Sequence, residues 1–183
     1  MPYFAIDYSL IRIKELKNMS SLLNELIAQD DEDTQKGKFL TFQLGEEVFG
    51  IEIKFVTEII GMYPITFIPE VPAYVKGIIN LRGKIIPVID MRLKFKKEPI
   101  EYDDRTCIVV IDMFEISIGL IVDCVAEVLK ISDENIAPPP NYRIGKNNKY
   151  IRGIGKVGEN IKLLLDCEKI ISENEFETIA NIS

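Results

Sequence analysis

Residues 76–90 read Lys-Gly-Ile-Ile-Asn-Leu-Arg-Gly-Lys-Ile-Ile-Pro-Val-Ile-Asp, a turn signal inside two apolar, strand-like runs. A degenerate copy returns at residues 152–166, which read Arg-Gly-Ile-Gly-Lys-Val-Gly-Glu-Asn-Ile-Lys-Leu-Leu-Leu-Asp. The copies match without a gap at Gly77 and Gly153, Ile78 and Ile154, Ile85 and Ile161, and Asp90 and Asp166. This return of the same pattern indicates an internal duplication.

A second block of sequence repeats in the same order. When Gly50 is placed on Gly119, the residues that follow also align without a gap: Val56 with Val125, Glu58 with Glu127, and Ile59 with Val128. The two units span about residues 39–95 and 107–171, and the period-2 alternation of each predicts about five short strands. Five short strands in some sixty residues are typical of a small SH3-like or OB-like barrel.

One turn position differs between the copies, because Arg82 lies opposite Gly158. Glu58, in contrast, has the counterpart Glu127. An arginine present in only one copy of a duplicated scaffold suggests a role other than folding. Glu58 and Arg82 have opposite charges and can pair across neighbouring strands. The alternative is an exposed ion pair with little effect on stability or function.

The two ends of the chain have helical patterns. Apolar residues three and four apart in residues 6–27 predict one amphipathic helix, or two with a break near residues 18–20. An acidic linker follows, so residues 1–36 form an extension that either docks a partner or covers the domain. The residues after Asp166 predict a short closing helix that continues to Ile179, and residues 176–183 form a tail.

The composition excludes several functional classes. A net charge of −7 and a pI near 4.8 argue against nucleic acid, which requires a clustered positive field. No apolar run is long enough to span a bilayer, and the charged first twenty residues do not resemble a signal peptide. We therefore expect a soluble cytoplasmic protein without direct membrane insertion.

Catalysis and metal binding are not indicated. The chain has no histidine, and its three cysteines have no zinc-binding spacing and lie mostly in apolar runs, where cysteine acts as a small hydrophobe. No phosphate-binding glycine loop or nucleophile motif is present. We therefore expect no enzymatic activity, metal or cofactor. An OB-like module that binds another ligand, such as nucleic acid, remains the alternative function.

At residues 42–51, 56–59 and 76–90 the chain resembles the CheW family of bacterial chemotaxis adaptors, over about residues 39–175. The resemblance implies a domain at 37–175 with two intertwined five-stranded barrels and no catalytic activity. It also implies a bridge between the cytoplasmic tips of chemoreceptors and the regulatory domain of the histidine kinase CheA, recruited to membrane-associated receptor arrays. The N-terminal extension departs from the family pattern.

The resemblance also implies where partners bind. Receptors are expected to dock between the barrels near Val56, Glu58 and Arg82. We expect a receptor helix to lie in an apolar groove between the two units. Its predicted lining consists of Val56, Ile59, Ile85 and Val88, with Val125 and Val128 nearby. Kinase contacts are expected at the barrel ends, near Gly119 and Leu120.

Overall fold

The structure, a computed structural model, describes residues 17–25, 35–113, 115–139 and 149–171. The first helix, α1, comprises residues 17–25. The first unit then forms β1 (Lys38–Leu44), β2 (Glu47–Glu52), a 3-10 turn (Ile53–Phe55), β3 (Val56–Gly61), β4 (Val75–Leu81), β5 (Lys84–Asp90) and α2 (Met91–Lys94). The second unit forms β6 (Cys107–Met113), β7 (Ile116–Val122), β8 (Cys124–Lys130), a 3-10 turn (Asp133–Asn135), β9 (Ile136–Ala137), β10 (Ile151–Val157), β11 (Asn160–Leu165) and α3 (Cys167–Ile170).

The two units exchange strands. One sheet has the order β8-β1-β2-β11-β10-β9, and the other has the order β3-β6-β7-β5-β4. Each unit therefore places one hairpin, β1–β2 or β6–β7, between strands of the other unit. The equivalent strands occupy equivalent places in the two orders, which confirms both the duplication and the intertwined, mainly β fold. The first sheet has one strand more than predicted, the two-residue β9.

The exchange depends on two parallel pairings between distant segments. Val88 of β5 pairs with Gly119 of β7, and Leu164 of β11 pairs with Gly50 of β2. A Cβ atom on Gly119 would lie 2.7 Å from side-chain atoms of both Val88 and Ile108, and one on Gly50 would lie 3.0 Å from Leu164. The repeats share this glycine because the two units cross there without room for a side chain.

Three apolar clusters form the core of the described part of the chain. The largest lies between the sheets and includes Phe42, Ile51, Val109 and Leu120. A second cluster brings Ile79 of β4 together with Ile60 of β3, so the two end strands of the five-stranded sheet enclose a common interior. A third cluster centres on Phe39, Ile131 and Leu164 in the other sheet. Each sheet is therefore covered by apolar side chains on both faces.

A buried lysine joins the two units. The Lys94 ammonium lies 4.2 Å from the ring centroid of Tyr74 and 5.5 Å from that of Tyr150. These tyrosines are equivalent in the repeat, because their carbonyls accept hydrogen bonds from the backbone N–H groups of Asp90 and Asp166, each at 2.8 Å. Cation–π attraction is strongest at such desolvated sites, so Lys94 stabilises the junction between the units.

The terminal predictions are confirmed where the structure describes them. Residues 17–25 form one helix, so the break near residues 18–20 is absent, and Leu23 is fully buried in the central cluster. The remainder of the predicted N-terminal helix lies outside the described residues. The closing helix is confirmed as Cys167–Ile170, and its continuation to Ile179 also lies outside them. No helix in the described ranges is long and apolar enough to cross a membrane.

Two local details qualify the sequence patterns. Pro87 predicts an edge or bulge position, but β5 lies inside its sheet, between β7 and β4. Proline is tolerated there because β5 pairs with β7 only over residues 88–90, beyond the missing N–H.

Asp90 caps α2 by accepting a 3.2 Å hydrogen bond from the Leu93 N–H, whereas the Asp166 side chain makes no such cap on α3.

Candidate partner-binding surface

The hairpin between β4 and β5 turns on Arg82 and Gly83, both with left-handed backbone angles, φ 53° and 88°. Two positive angles in a two-residue loop are characteristic of a type I′ turn. The Gly83 N–H donates a 2.8 Å hydrogen bond to Oδ1 of Asn80, which stabilises the turn. Gly158 adopts φ 60° in the equivalent hairpin. Arg82 therefore occupies a backbone position that glycine adopts more easily.

The Arg82 guanidinium forms a bidentate ion pair with Glu58 of β3. Its two terminal nitrogens donate to the two carboxylate oxygens at 2.9 and 2.5 Å. Hydrogen bonding to the Glu58 carboxylate raises the pKa of Arg82, and Tyr63 adds a smaller effect in the same direction. The Arg82 side chain is 73% exposed, and such exposed pairs contribute little to stability. The predicted ion pair is confirmed, although β3 is not a hydrogen-bonded neighbour of β4 or β5 as was expected, and it presents a fixed guanidinium to solvent.

The equivalent surface of the other barrel is different. Glu127 matches Glu58, but the turn opposite it has Gly158 in place of an arginine. Within the described ranges, the Glu58–Arg82 ion pair thus occurs in one repeat only. A feature that folding required in both barrels would be expected in both.

A β-bulge orients the side chains of β3. Val56 pairs with Ile111 and Glu58 pairs with Val110, so Thr57 is the extra residue. Because a bulge shifts the alternation by one residue, Val56 and Ile59 lie on the same, inward face. In the repeat, β8 has the same shift at Ala126, opposite the step from Thr41 to Phe42 in β1.

The predicted groove lining is partly wrong. Val56 and Ile59 are buried in the central cluster. Val88 is fully buried in the second apolar cluster, inside the five-stranded sheet's barrel. None of the three can therefore form an exposed floor. The other predicted positions are accessible to different extents. Ile85 is exposed, and Val125 and Val128 of β8 are half-buried at the margin of the central cluster.

The two residues predicted for kinase contact lie inside the protein. Leu120 is fully buried, and Gly119 lies where β5 and β7 pair. Neither residue is therefore part of the exposed surface in this structure. Both residues pair with β5, Gly119 with Val88 and Leu120 with Ile89, so they hold β7 against β5.

Two exposed aromatic residues in the segment between β3 and β4 were not predicted from the sequence. Tyr63 is 41% exposed and close enough to affect Arg82, and Phe67 is 75% exposed. Phe67 follows Thr66, whose backbone pairs with Ile78 of β4 through hydrogen bonds of 2.8 and 2.9 Å. The proline-rich composition of this segment was the available signal, since such segments cannot be fully buried in a sheet. We call Glu58, Tyr63, Arg82 and Ile85 the Arg82 patch.

A serine–lysine contact lies next to the Arg82–Gly83 turn, because Lys84 is the residue that follows it. Lys84 donates to the Ser117 hydroxyl, which in turn donates to Asp112. This network connects the ends of β5, β6 and β7. A serine whose proton is directed to a carboxylate and whose oxygen accepts from an ammonium is not arranged as a nucleophile. Among the residues that the structure describes, no group of acidic, cysteine or histidine side chains is suited to a metal ion.

Comparisons with known proteins agree with this architecture. The family model of the CheW-like domain matches residues 38–175. The chemotaxis protein CheW of Klebsiella aerogenes is 36% identical over 168 residues, which cover 92% of this chain and 96% of that protein. CheW of Treponema pallidum is also 36% identical, over 160 residues, covering 85% of this chain and 92% of that protein. The crystal structure of the scaffolding protein TtCheW from Thermoanaerobacter tengcongensis is similar with a TM-score of 0.70 and 34% identity, covering 76% and 94% of the two chains.

The Klebsiella aerogenes match bears on the N-terminal extension. A match that covers 92% of this chain has to include part of residues 1–36. The expectation that the extension sets this chain apart from the family is therefore wrong for that relative.

Proposed function

This chain belongs to the CheW-like family of chemotaxis proteins, and we propose that it acts in the cytoplasm as a non-catalytic adaptor. In this role it couples the cytoplasmic tips of chemoreceptors to the histidine kinase CheA through the regulatory domain of that kinase. The observation that supports the proposal most strongly is the Glu58–Arg82 ion pair. Among the described residues this exposed pair occurs in one repeat only, and its arginine lies on a turn that favours glycine.

The receptor docks on the Arg82 patch. The cytoplasmic tips of chemoreceptors are helical, and a helix binds through an apolar stripe with a few oriented polar contacts. Ile85 and Tyr63 supply exposed apolar area, and the half-buried Val125 and Val128, at the margin of the central cluster, supply more. The Arg82 guanidinium donates to polar groups of the receptor and fixes its register. Val56 and Ile59 support this surface from beneath.

The kinase docks at a barrel end away from the Arg82 patch. The β10–β11 hairpin is the repeat counterpart of the hairpin that carries Arg82, and its Ile161 is 61% exposed, compared with 37% for the equivalent Ile85. An exposed isoleucine on a turn-proximal strand is a suitable anchor for a protein interface. Two docking surfaces on equivalent hairpins allow receptor and kinase to bind at the same time.

The test is assembly of the three components. We expect the full chain to elute together with a CheA regulatory domain in gel filtration, and a receptor tip to join that complex. Ile161→Asp should reduce kinase binding at least about tenfold, because a charge replaces an apolar side chain that the kinase covers in the complex, while receptor binding is unchanged. Isothermal titration calorimetry measures both affinities. Failure to bind either partner, or binding to nucleic acid that weakens steeply with salt, would contradict the proposal.

A further inference from the structure

The N-terminal helix covers part of the surface between the barrels. Leu23 of α1 is fully buried and belongs to the central apolar cluster, and Met19, one turn earlier, packs against that cluster. Val125 and Val128 of β8 pack against the same cluster. The helix therefore contacts the domain through residues four apart, the spacing by which an amphipathic helix binds a groove.

The contact of α1 with β8 is incomplete. An open cavity of about 450 Å³ lies between them, lined mainly by apolar surface from Met19, Leu22, Ala126 and Val128, with Lys38, Glu127 and Lys130 at its margin. Leu22 remains 55% exposed although it faces this cavity. Close packing is what gives a core contact its full stability, so a helix beside an unfilled cavity is held weakly.

We propose that α1 is a built-in competitor for the receptor helix. This inference rests on the proposed function, since Val128 of β8, which shares a cavity with Met19 and Leu22 of α1, is one of the residues proposed to contact the receptor helix. A receptor helix with apolar residues at the spacing of Met19 and Leu23 takes the place of α1 and packs against Ala126 and Val128 of β8. The short connection between α1 and β1 returns the helix at high effective concentration when the receptor leaves.

The size of the effect follows from the weakness of the contact. Helices gain most of their stability from tertiary contacts, and Leu23 is the fully buried side chain within the described part of α1, so its removal should release the helix. If the covered state predominates, the apparent affinity for the receptor is reduced by the fraction of molecules in which the surface is free. Release of α1 then increases receptor affinity without any change in the receptor contacts.

The test compares two neighbouring substitutions in the full chain. We expect Leu23→Glu to increase affinity for a receptor tip by about three- to tenfold, because the charged side chain cannot remain in the central cluster. Asn24→Glu places the same charge on the exposed side of the helix and should leave affinity unchanged. The pair Ser21→Ala and Asn24→Ala increases helix propensity and should weaken binding, by up to about fivefold. Calorimetric titration measures all four proteins.

Other outcomes overturn the inference in distinguishable ways. Weaker binding by Leu23→Glu means that α1 is part of the receptor-binding surface, and unchanged binding means that it only covers the domain. If no variant binds a receptor tip, the proposed function itself fails. A peptide of residues 1–36 separates the two questions, because it should bind the Leu23→Glu chain while the same peptide with Leu23→Glu should not. Absence of peptide binding contradicts the inference whatever the receptor does.

Discussion

Gly77→Ala should lower the free energy of unfolding by about 3–5 kcal/mol and the melting temperature by roughly 10 °C. A Cβ atom at this position would overlap the backbone oxygen of Thr66 and lie 2.8 Å from its carbonyl carbon. The backbone angle of φ 139° is also one that residues with a side chain rarely adopt. Relief of the clash would require separation of the paired backbones of Thr66 and Ile78, at the edge of the five-stranded sheet.

The matched control is Gly83→Ala, in the same hairpin. Gly83 also has a left-handed angle, φ 88°, but apart from its chain neighbours no atom of the described residues lies within 4 Å of the place that a Cβ atom would take there. Its substitution should cost only the backbone strain, about 1 kcal/mol. Urea denaturation followed by circular dichroism measures both variants. If the two variants lost equal free energy of unfolding, the close approach of Thr66 would not be the reason that position 77 requires glycine.

Arg82→Glu should reduce affinity for a receptor tip by at least about 30-fold, the effect typical of an arginine at the centre of an interface. The melting temperature should fall by no more than about 3 °C, because the lost ion pair is exposed and its contribution to stability is small. Arg82→Gly should lose affinity to a similar extent and should be at least as stable as Arg82→Glu, since glycine suits the left-handed turn. Thermal unfolding and calorimetric titration measure the two quantities separately.

A charge exchange distinguishes function from folding. Glu58→Arg combined with Arg82→Glu restores an opposite-charge pair at the same place. If the pair served only to connect β3 with the β4–β5 hairpin, this double variant would bind the receptor normally. We expect its stability to return towards that of the unmodified chain while its affinity stays low, because the partner meets a carboxylate where it needs a guanidinium.

The strands and the duplication could be predicted from the sequence because both leave local signals. Alternation with period two marked the strands, and the gapless match of Gly50 with Gly119 marked the repeat. The exchange of hairpins has no local signal, because it depends on parallel pairing between segments such as Val88 and Gly119, which lie in different units. It was expected only from the resemblance to a family.

The charged part of the candidate site was predicted from the sequence, but the burial of its apolar residues was not. Glu58 and Arg82 were paired correctly from their opposite charges, but they were expected on neighbouring strands, whereas β3 and β4 lie at opposite ends of the strand order. Val56, Ile59 and Val88 were placed too near the surface, because alternation identifies two faces of a strand but not whether both are covered. Here both faces are covered, one inside a barrel and one between the sheets. The bulge at Thr57 also cannot be read from spacing alone.

Backbone chemical-shift mapping tests the central claim, that the receptor binds at the Arg82 patch, most directly. Unlabelled receptor tip is added to the isotopically labelled chain, and the amide shifts are followed through the titration. We predict that the largest shifts occur at Glu58, Tyr63, Arg82 and Ile85, with additional changes in α1 as it is displaced. Shifts confined to the β10–β11 hairpin around Ile161, or no saturable shifts, would contradict the account.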